Sequence, residues 1–255
     1  MTLNYKSFGQ GFPIIILHGL FGMLDNWQTI AKKLAEHHTV YILDQRNHGR
    51  SPHSPDFNYH LLAEDLEQFM EANWIYEAHV IGHSMGGKTA MQFALNYPDM
   101  ISKLVVVDIA PKTYQAGHQA IFEALFATDV ANITSRKEAT AQLEQKIKDP
   151  ATLQFLLKNL TRNKEGYYEW KMNLAVLHKQ YDTILATIKM EDLPFEKPTL
   201  FIRGGQSNYV LDSDKEVLQS FFPAAAIATI PDANHWVHAT APEEFLKLVR
   251  LFLND

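Results

Sequence analysis

The chain has 255 residues, of which 46% are hydrophobic and 20% are charged. This composition excludes a disordered chain, and a formal net charge of −6 gives no electrostatic footprint for nucleic acid. The sequence contains no cysteine, which excludes disulfides, thiolate metal sites and a cysteine nucleophile. No apolar run approaches the roughly 18 residues of a membrane span, and the N-terminus lacks the pattern of a signal peptide. We therefore expect a cytoplasmic protein without a membrane span.

Short apolar runs rich in β-branched residues alternate with helical patterns along most of the chain. The runs cover residues 13–17, 39–43, 78–81, 104–107, 198–202 and 225–230, and a weaker edge strand is expected at 3–8. Most runs are continuously apolar, which is typical of strands covered on both faces of a parallel sheet. Amphipathic helical stripes lie between them, as at Leu62, Leu66 and Phe69. The pattern predicts an α/β fold with a mostly parallel, doubly wound sheet.

The alternation stops between about residues 112 and 193, where helical patterns follow one another without core strands. Only the alternating residues Tyr168, Trp170 and Met172 are expected to be extended. An insert of about 80 residues is too long for an ordinary connection. We therefore expect a core of residues 1–111 and 194–255 and an inserted helical cap, or lid, of residues 112–193. The pairs Ser135/Glu138 and Thr240/Glu243 have the spacing of capping boxes and predict two helix starts.

The strongest chemical motif is the G-x-S-x-G pattern of residues 82–86, which follows a predicted strand and precedes a predicted helix. A serine on such a sharp turn is exposed at the carboxyl end of the sheet, and Gly82 and Gly86 avoid steric collisions with it. Ser84 is therefore the predicted nucleophile. The alternative is a glycine-rich turn that closes an ordinary βα unit.

The loop of residues 18–22 follows the first strong strand and is rich in glycine. An oxyanion requires two convergent backbone N–H donors. We expect one from Met85, directly after the predicted nucleophile, and one from Leu20, where Gly19 and Gly22 permit close approach. His18 is expected to hold the loop by hydrogen bonds. The alternative is a simple glycine-containing strand exit.

Four segments fall in the order and spacing found in the α/β-hydrolase family, which the chain resembles over nearly its whole length: residues 18–22, 44–51, 82–87 and 234–238. It looks most similar to the small YbfF-type bacterial esterases, and the features behind that closer likeness are residues 46–49, 107–111, 204–207 and 235–238. The resemblance implies an eight-strand sheet, a helical cap after the sixth strand and hydrolysis of acyl esters without a cofactor. It also implies a structural role for the loop 44–51.

The catalytic base should come last in the chain, because the order in α/β-hydrolases is serine, acid, histidine. The loop after the last predicted strand contains His235, which is our predicted base, and His238 is the alternative. His83 flanks the nucleophile and is expected to pack against the turn as a supporting residue. The adjacent pair His37 and His38 lacks carboxylate partners at a suitable spacing, so no metal site is predicted.

The third member of the triad is where the sequence departs from the usual family pattern. After the seventh family strand, where an aspartate is usual, the chain offers Ser207 or Asn208, and neither can hold a negative charge. Asp212 and Asp214 lie further along. Asp108 ends the strand next to the nucleophile strand, where a buried carboxylate should be paired, and YbfF-type esterases take their acid from this place. We therefore predict Asp108 as the acid, with Asp212 as the alternative and Ser207 as a supporting hydrogen-bond partner.

These residues predict a serine hydrolase that cleaves carboxylic esters, or acyl thioesters, through an acyl-enzyme. Ser84, His235 and Asp108 would form the triad, and the Leu20 and Met85 amides would form the oxyanion hole. The expected partner is a small-molecule acyl ester or thioester, with no cofactor, no metal and no nucleic acid. The chain is expected to be a monomer or a homodimer.

Two alternatives remain open. A carbon–carbon bond hydrolase or a perhydrolase would use the same serine, whereas a non-catalytic small-molecule receptor would belong to another functional class. Apolar cap residues are expected to line part of the cleft, in keeping with an acyl or aryl substrate. Lys112, His118 or Arg203 near the cleft could attract an anionic substrate such as an acyl-CoA.

Overall fold

Nine strands lie within residues 1–254, the part of the chain that this computed structural model describes. They are β1 (Tyr5–Phe8), β2 (Phe12–Leu17), β3 (His38–Leu43), β4 (Ala78–His83), β5 (Ile101–Val107), β6 (Leu160–Arg162), β7 (Tyr168–Trp170), β8 (Thr199–Gly204) and β9 (Ala225–Ile230). Seven of them form one sheet in the order β1-β3-β2-β4-β5-β8-β9, and β6 and β7 pair with each other. In the large sheet, β1 pairs with β3 in antiparallel orientation, and the other five pairs are parallel. The predicted α/β class with a mostly parallel sheet is confirmed.

The helices fill the connections between these strands. They are α1 (Gln28–Leu34), α2 (Tyr59–Ala72), α3 (Met85–Asn96), α4 (Gln119–Ala127), α5 (Arg136–Leu143), α6 (Pro150–Leu157), α7 (Leu174–Lys179), α8 (Tyr181–Leu185), α9 (Lys215–Phe221), α10 (Val237–Thr240) and α11 (Pro242–Leu253). Short 3₁₀ turns occur at Leu24–Asn26, Pro98–Met100 and Asp212–Asp214. In the chain, helices α4 to α8 and the β6–β7 pair all lie between β5 and β8. Of the residues expected to be extended, Tyr168 and Trp170 belong to β7, whereas Met172 lies beyond its end. The limits of the cap at 112 and 193 stay a prediction.

Buried apolar layers cover both faces of the large sheet. In β2, Ile15 and Leu17 belong to a cluster with residues of α2 and α3, whereas Ile14 and Ile16 belong to a cluster with residues of α1 and α11. Successive side chains of a strand point to opposite faces. The continuous apolar run of β2 therefore reflects burial on both sides, and each such side chain contributes about 1.5–3 kcal/mol.

Strand register brings the carboxyl ends of the central strands to one edge of the sheet. Leu17 of β2 pairs with Gly82 of β4, and His83 of β4 pairs with Val107 of β5. Val107 in turn pairs with Ile202 of β8. Residues that directly follow β2, β4, β5 and β8 are thus neighbours in space, although they are far apart in the chain.

Two expectations about individual elements were wrong. The resemblance implied eight strands, but the large sheet has seven within residues 1–254: β1 is its edge strand, and the four residues before β1 form no further strand. Thr240 does not cap the last helix: it ends α10, and its Oγ1 donates to the Trp236 carbonyl (3.1 Å). Helix α11 instead begins at Pro242, a residue suited to a first turn. The Ser135 cap is confirmed, with its Oγ accepting from Glu138 N.

None of the helices within residues 1–254 has the length and apolar character needed to cross a membrane.

Candidate active site

The turn between β4 and α3 holds Ser84 in a strained conformation. Its backbone angles are φ 53° and ψ −121°, in a region that residues with side chains rarely adopt. The glycines on either side are required by close approach. A Cβ on Gly82 would lie 2.2 Å from the Gly86 carbonyl oxygen, and a Cβ on Gly86 would lie 2.4 Å from the His18 carbonyl oxygen. The turn therefore presents Ser84 at the sheet edge where the central strands end.

Ser84, His235 and Asp108 form one chain of hydrogen-bonding atoms. His235 lies in the loop between β9 and α10, and its Nε2 is 3.1 Å from Ser84 Oγ. Its Nδ1 is 2.7 Å from Asp108 Oδ2. Asp108 follows β5 with a positive φ of 51°, which turns its carboxylate toward His235. The three residues come from three separate connections that the sheet brings to the same edge.

Asp108 is a buried carboxylate, 1% exposed, and its hydrogen bonds are satisfied on both oxygens. Oδ1 accepts from the Gly204 amide (3.0 Å), and Oδ2 accepts from Ser207 Oγ as well as facing His235. The other acid candidate, Asp212, lies elsewhere, since its side chain is 93% exposed and pairs with Arg203 at 2.6 Å. Asp214 pairs with Lys112 at 2.5 Å. Asp108 is thus the aspartate that contacts His235, and its role as the acid stays a prediction.

The other histidines near the site are buried and neutral. His83 Nε2 donates to the His235 carbonyl (2.8 Å), and burial holds the pKa of His83 well below its usual value. His238 stacks on Trp27 at 3.9 Å, and burial lowers its pKa to about 3. Among residues 1–254, no three histidine and carboxylate side chains form a group that could hold a metal ion.

The loop of residues 18–22 passes directly against the serine. A Cβ on Gly19 would lie 3.1 Å from Ser84 Cβ, so a larger residue would crowd the nucleophile. Within the described chain, the Leu20 and Met85 amides donate to no protein acceptor, so both N–H groups are free to donate to a ligand. His18 fixes the loop: its Nδ1 donates to the Gly19 carbonyl (2.8 Å) and its Nε2 accepts from Gln45 N (3.0 Å).

Several residues of the site carried no sequence signal. The Tyr209 ring stacks on His235 at 3.8 Å and an interplanar angle of 16°. The Tyr114 hydroxyl donates to the Tyr209 carbonyl (2.7 Å) and accepts from Ala110 N (2.8 Å). Asn159, between α6 and β6, donates from Nδ2 to the Phe21 carbonyl (2.7 Å) beside the loop 18–22. No local motif marks these positions, because their partners lie 26 or more residues away in the chain or, for Tyr114 and Ala110, depend on the turn after β5.

Two cavities meet at Ser84. The first, which we call the lysine cavity, has a volume of about 350 Å³ and is lined by Tyr59, Ser84, Lys88, Ile109, Tyr114 and Tyr181 among others. The second, which we call the tryptophan cavity, has a volume of about 260 Å³ and is lined by Ser84, Phe155, Lys158, His235 and Trp236 among others. Leu20 and His118 line both. Burial lowers the pKa of His118 to about 4, so it is not a cation at neutral pH.

Comparison with known proteins gives consistent matches over almost the whole chain. A family model described as the α/β hydrolase fold matches residues 13–242. The chain is 40% identical over 245 residues to the esterase YbfF of Escherichia coli, which covers 95% of this chain and 93% of that protein. It is 39% identical over 264 residues to the sn-1-specific diacylglycerol lipase ABHD11 of Danio rerio, with 99% of this chain and 83% of that protein covered. The solved structure of a marine microorganism esterase has a TM-score of 0.96 and 42% identity, and 98% of each chain is covered.

Proposed function

Because the chain belongs to the α/β-hydrolase family and is a carboxylesterase-type hydrolase, we propose that it cleaves acyl esters with Ser84 as nucleophile, His235 as base and Asp108 as acid. The observation that carries the proposal is the hydrogen-bonded chain from Ser84 Oγ through the His235 ring to Asp108 Oδ2, with separations of 3.1 and 2.7 Å. The distance between Ser84 and His235 is short enough for proton transfer, and the distance between His235 and Asp108 is short enough for Asp108 to orient the imidazole ring.

In the proposed reaction, His235 Nε2 takes the proton of Ser84 as Oγ attacks the ester carbonyl carbon. The Leu20 and Met85 amides hydrogen-bond to the oxyanion that forms, and each such donor is typically worth about 3–4 kcal/mol. Asp108 keeps the proton of the neutral imidazole on Nδ1 and stabilises the imidazolium. His235 then gives its proton to the leaving oxygen, the carbon–oxygen bond breaks, and Ser84 carries the acyl group. Water, deprotonated by His235, releases the acid and restores Ser84.

We assign the two cavities to the two halves of the substrate. His235 lines the tryptophan cavity, and the leaving oxygen must lie within reach of its Nε2 to receive a proton. The alcohol or thiol part of the substrate therefore belongs in the tryptophan cavity and the acyl part in the lysine cavity. Residues 112–193 would act as the cap over both, since Tyr114, Phe155 and Tyr181 line them.

The remaining finer features of the proposal come from the sequence and the chemistry of the site. Thioesters fit the same mechanism, because the acyl-enzyme is identical and only the leaving atom differs. The cytoplasmic location and a monomeric or dimeric state stay predictions. Neither of them affects the chemistry at Ser84.

The test is hydrolysis of 4-nitrophenyl esters of increasing acyl length, acyl-CoA thioesters and a diacylglycerol by the wild type and by Ser84→Ala. We expect turnover of at least one ester class by the wild type and its loss in Ser84→Ala. Turnover that is confined to a carbon–carbon cleavage or to peracid formation would favour those hydrolase alternatives. No turnover of any substrate, together with reversible ligand binding, would favour a receptor.

A further inference from the structure

Lys88 is a buried lysine one helical turn beyond the proposed nucleophile. Its amide donates to the Ser84 carbonyl (3.1 Å), so the two residues lie about 6 Å apart along the axis of α3. The residue is only 1% exposed, yet its side chain lines the lysine cavity. A lysine at this depth contrasts with the mainly apolar and aromatic lining of that cavity, whose other polar residues include the uncharged Gln115 and Asn208.

The contacts of the Lys88 ammonium leave its charge uncompensated. Nζ donates to the carbonyls of Leu185 (2.9 Å) and Ala186 (2.5 Å) at the end of α8. It also lies 4.9 Å from the Tyr114 ring centroid and 5.7 Å from that of Tyr59. An ammonium has three donors, and these carbonyls use two of them. Within residues 1–254, no carboxylate lies within 4.0 Å of Nζ.

A buried charge without a counter-ion is unfavourable, and neither carbonyl dipoles nor aromatic faces neutralise it. The hydroxyl protons of the two neighbouring tyrosines are already used, because Tyr59 donates to the Ile184 carbonyl and Tyr114 to the Tyr209 carbonyl. Among the described residues that line the lysine cavity, Lys88 is thus the one whose side chain can carry a charge at neutral pH and select a substrate by it.

We propose that the lysine cavity binds acyl groups with a carboxylate at their far end, which Lys88 recognises through its third N–H and its charge. The preferred substrates are then half-esters or half-thioesters of dicarboxylic acids. This inference rests on the proposed ester hydrolysis at Ser84 and specifies its substrate class. Burial lowers the pKa of Lys88 to about 7, and a bound carboxylate would raise it again by favouring the charged form.

A purely structural role for Lys88 makes a different prediction. The same side chain ties α3 to the end of α8 through the two carbonyls, and loss of this tie would affect all substrates alike. Selective recognition instead changes the ratio of kcat/KM for a charged and a neutral substrate. The ratio is therefore the quantity to measure.

The experiment compares mono-4-nitrophenyl adipate with methyl 4-nitrophenyl adipate, which differ in the charge at the end of the same acyl chain. We expect the wild type to favour the half-ester by about 10-fold or more, as for one hydrogen bond between charged groups. Lys88→Met should lose this preference, so that its kcat/KM values for the two esters become similar. Because kcat/KM reports the ionisation of the free enzyme, the preference of the wild type should also decline as the pH rises above about 7, the pKa of the unoccupied Lys88, where the ammonium loses its proton.

Lys112→Met is the matched control. Lys112 also lies near the Tyr114 ring (5.3 Å), but Asp214 neutralises it at 2.5 Å. This variant should keep the preference for the half-ester. Loss of the preference in Lys112→Met would overturn the assignment to Lys88. So would equal hydrolysis of both esters by the wild type, whatever the stability of the variants. Retention of both activities in Ser84→Ala would instead show that the proposed function itself is wrong.

Discussion

Replacement of Asp108 by asparagine removes the charge of the proposed acid and keeps its shape. Asp108 has a φ of 51°, and asparagine tolerates this left-handed conformation better than most residues do. The Gly204 amide, which donates to Oδ1 at 3.0 Å, would hold the amide oxygen of asparagine in that position. The substitution should therefore leave the fold intact.

The expected loss of activity follows from the orientation of that amide. With its oxygen on Gly204, asparagine would place its NH₂ group where Oδ2 now faces His235 Nδ1 at 2.7 Å. Nδ1 would then become an acceptor and the ring proton would move to Nε2, which could no longer accept the proton of Ser84. A tautomer change of this kind lowers kcat by about 10⁴, or about 5 kcal/mol in activation free energy.

The assay is kcat for a neutral 4-nitrophenyl ester, with the melting temperature as the check on folding. Asp212→Asn is the control, because Asp212 is largely exposed and contacts Arg203 rather than His235. The reasoning is refuted if Asp108→Asn retains turnover near that of the wild type, or if Asp212→Asn abolishes it.

Three further predictions concern the support of the site. Ser207→Ala removes one hydrogen bond to the Asp108 carboxylate and should lower kcat by about 5- to 10-fold with little change in KM. An unchanged kcat in steady-state assays would exclude a supporting role for Ser207. Gly82→Ala should yield no stable folded protein by calorimetry, since its Cβ would lie 2.2 Å from a backbone carbonyl, and a wild-type melting temperature would contradict this. Burial lowers the pKa of His18 to about 4 and that of His48 and His238 to about 3, so the unfolded chain binds more protons below pH 6.5. The free energy of unfolding should therefore fall as the pH drops from 6.5 toward 4. In urea unfolding over this range, His238→Phe should reduce the slope of the unfolding free energy against pH by about 1.4 kcal/mol per pH unit. An unchanged slope would argue against a buried neutral ring.

The elements of the sheet could be predicted from the sequence because their signals are local. In β2, the continuous apolar run is a direct consequence of burial on both faces, and the glycines around Ser84 follow from the geometry of the strand-to-helix turn. The proximity of Asp108 to Ser84 could also be inferred, since both directly follow neighbouring parallel strands. Their catalytic roles stay predictions.

The features that the sequence did not reveal depend on contacts between distant segments. Lys88 appears as an ordinary residue of an amphipathic helix until α8 and two tyrosines enclose it. Tyr209 shows no motif, and its position matters only because the ring of His235 lies flat against it. The capping box proposed for Thr240 was wrong for a related reason, since Thr240 is the last residue of the short helix α10, which precedes α11.

The central claim is that Ser84 is an activated nucleophile, and a fluorophosphonate probe tests it most directly. The purified wild type should gain the mass of one probe molecule, peptide mapping should place the adduct on Ser84, and Ser84→Ala should remain unlabelled. Absence of an adduct on the folded wild type, or labelling of Ser84→Ala to the same extent, would contradict the account.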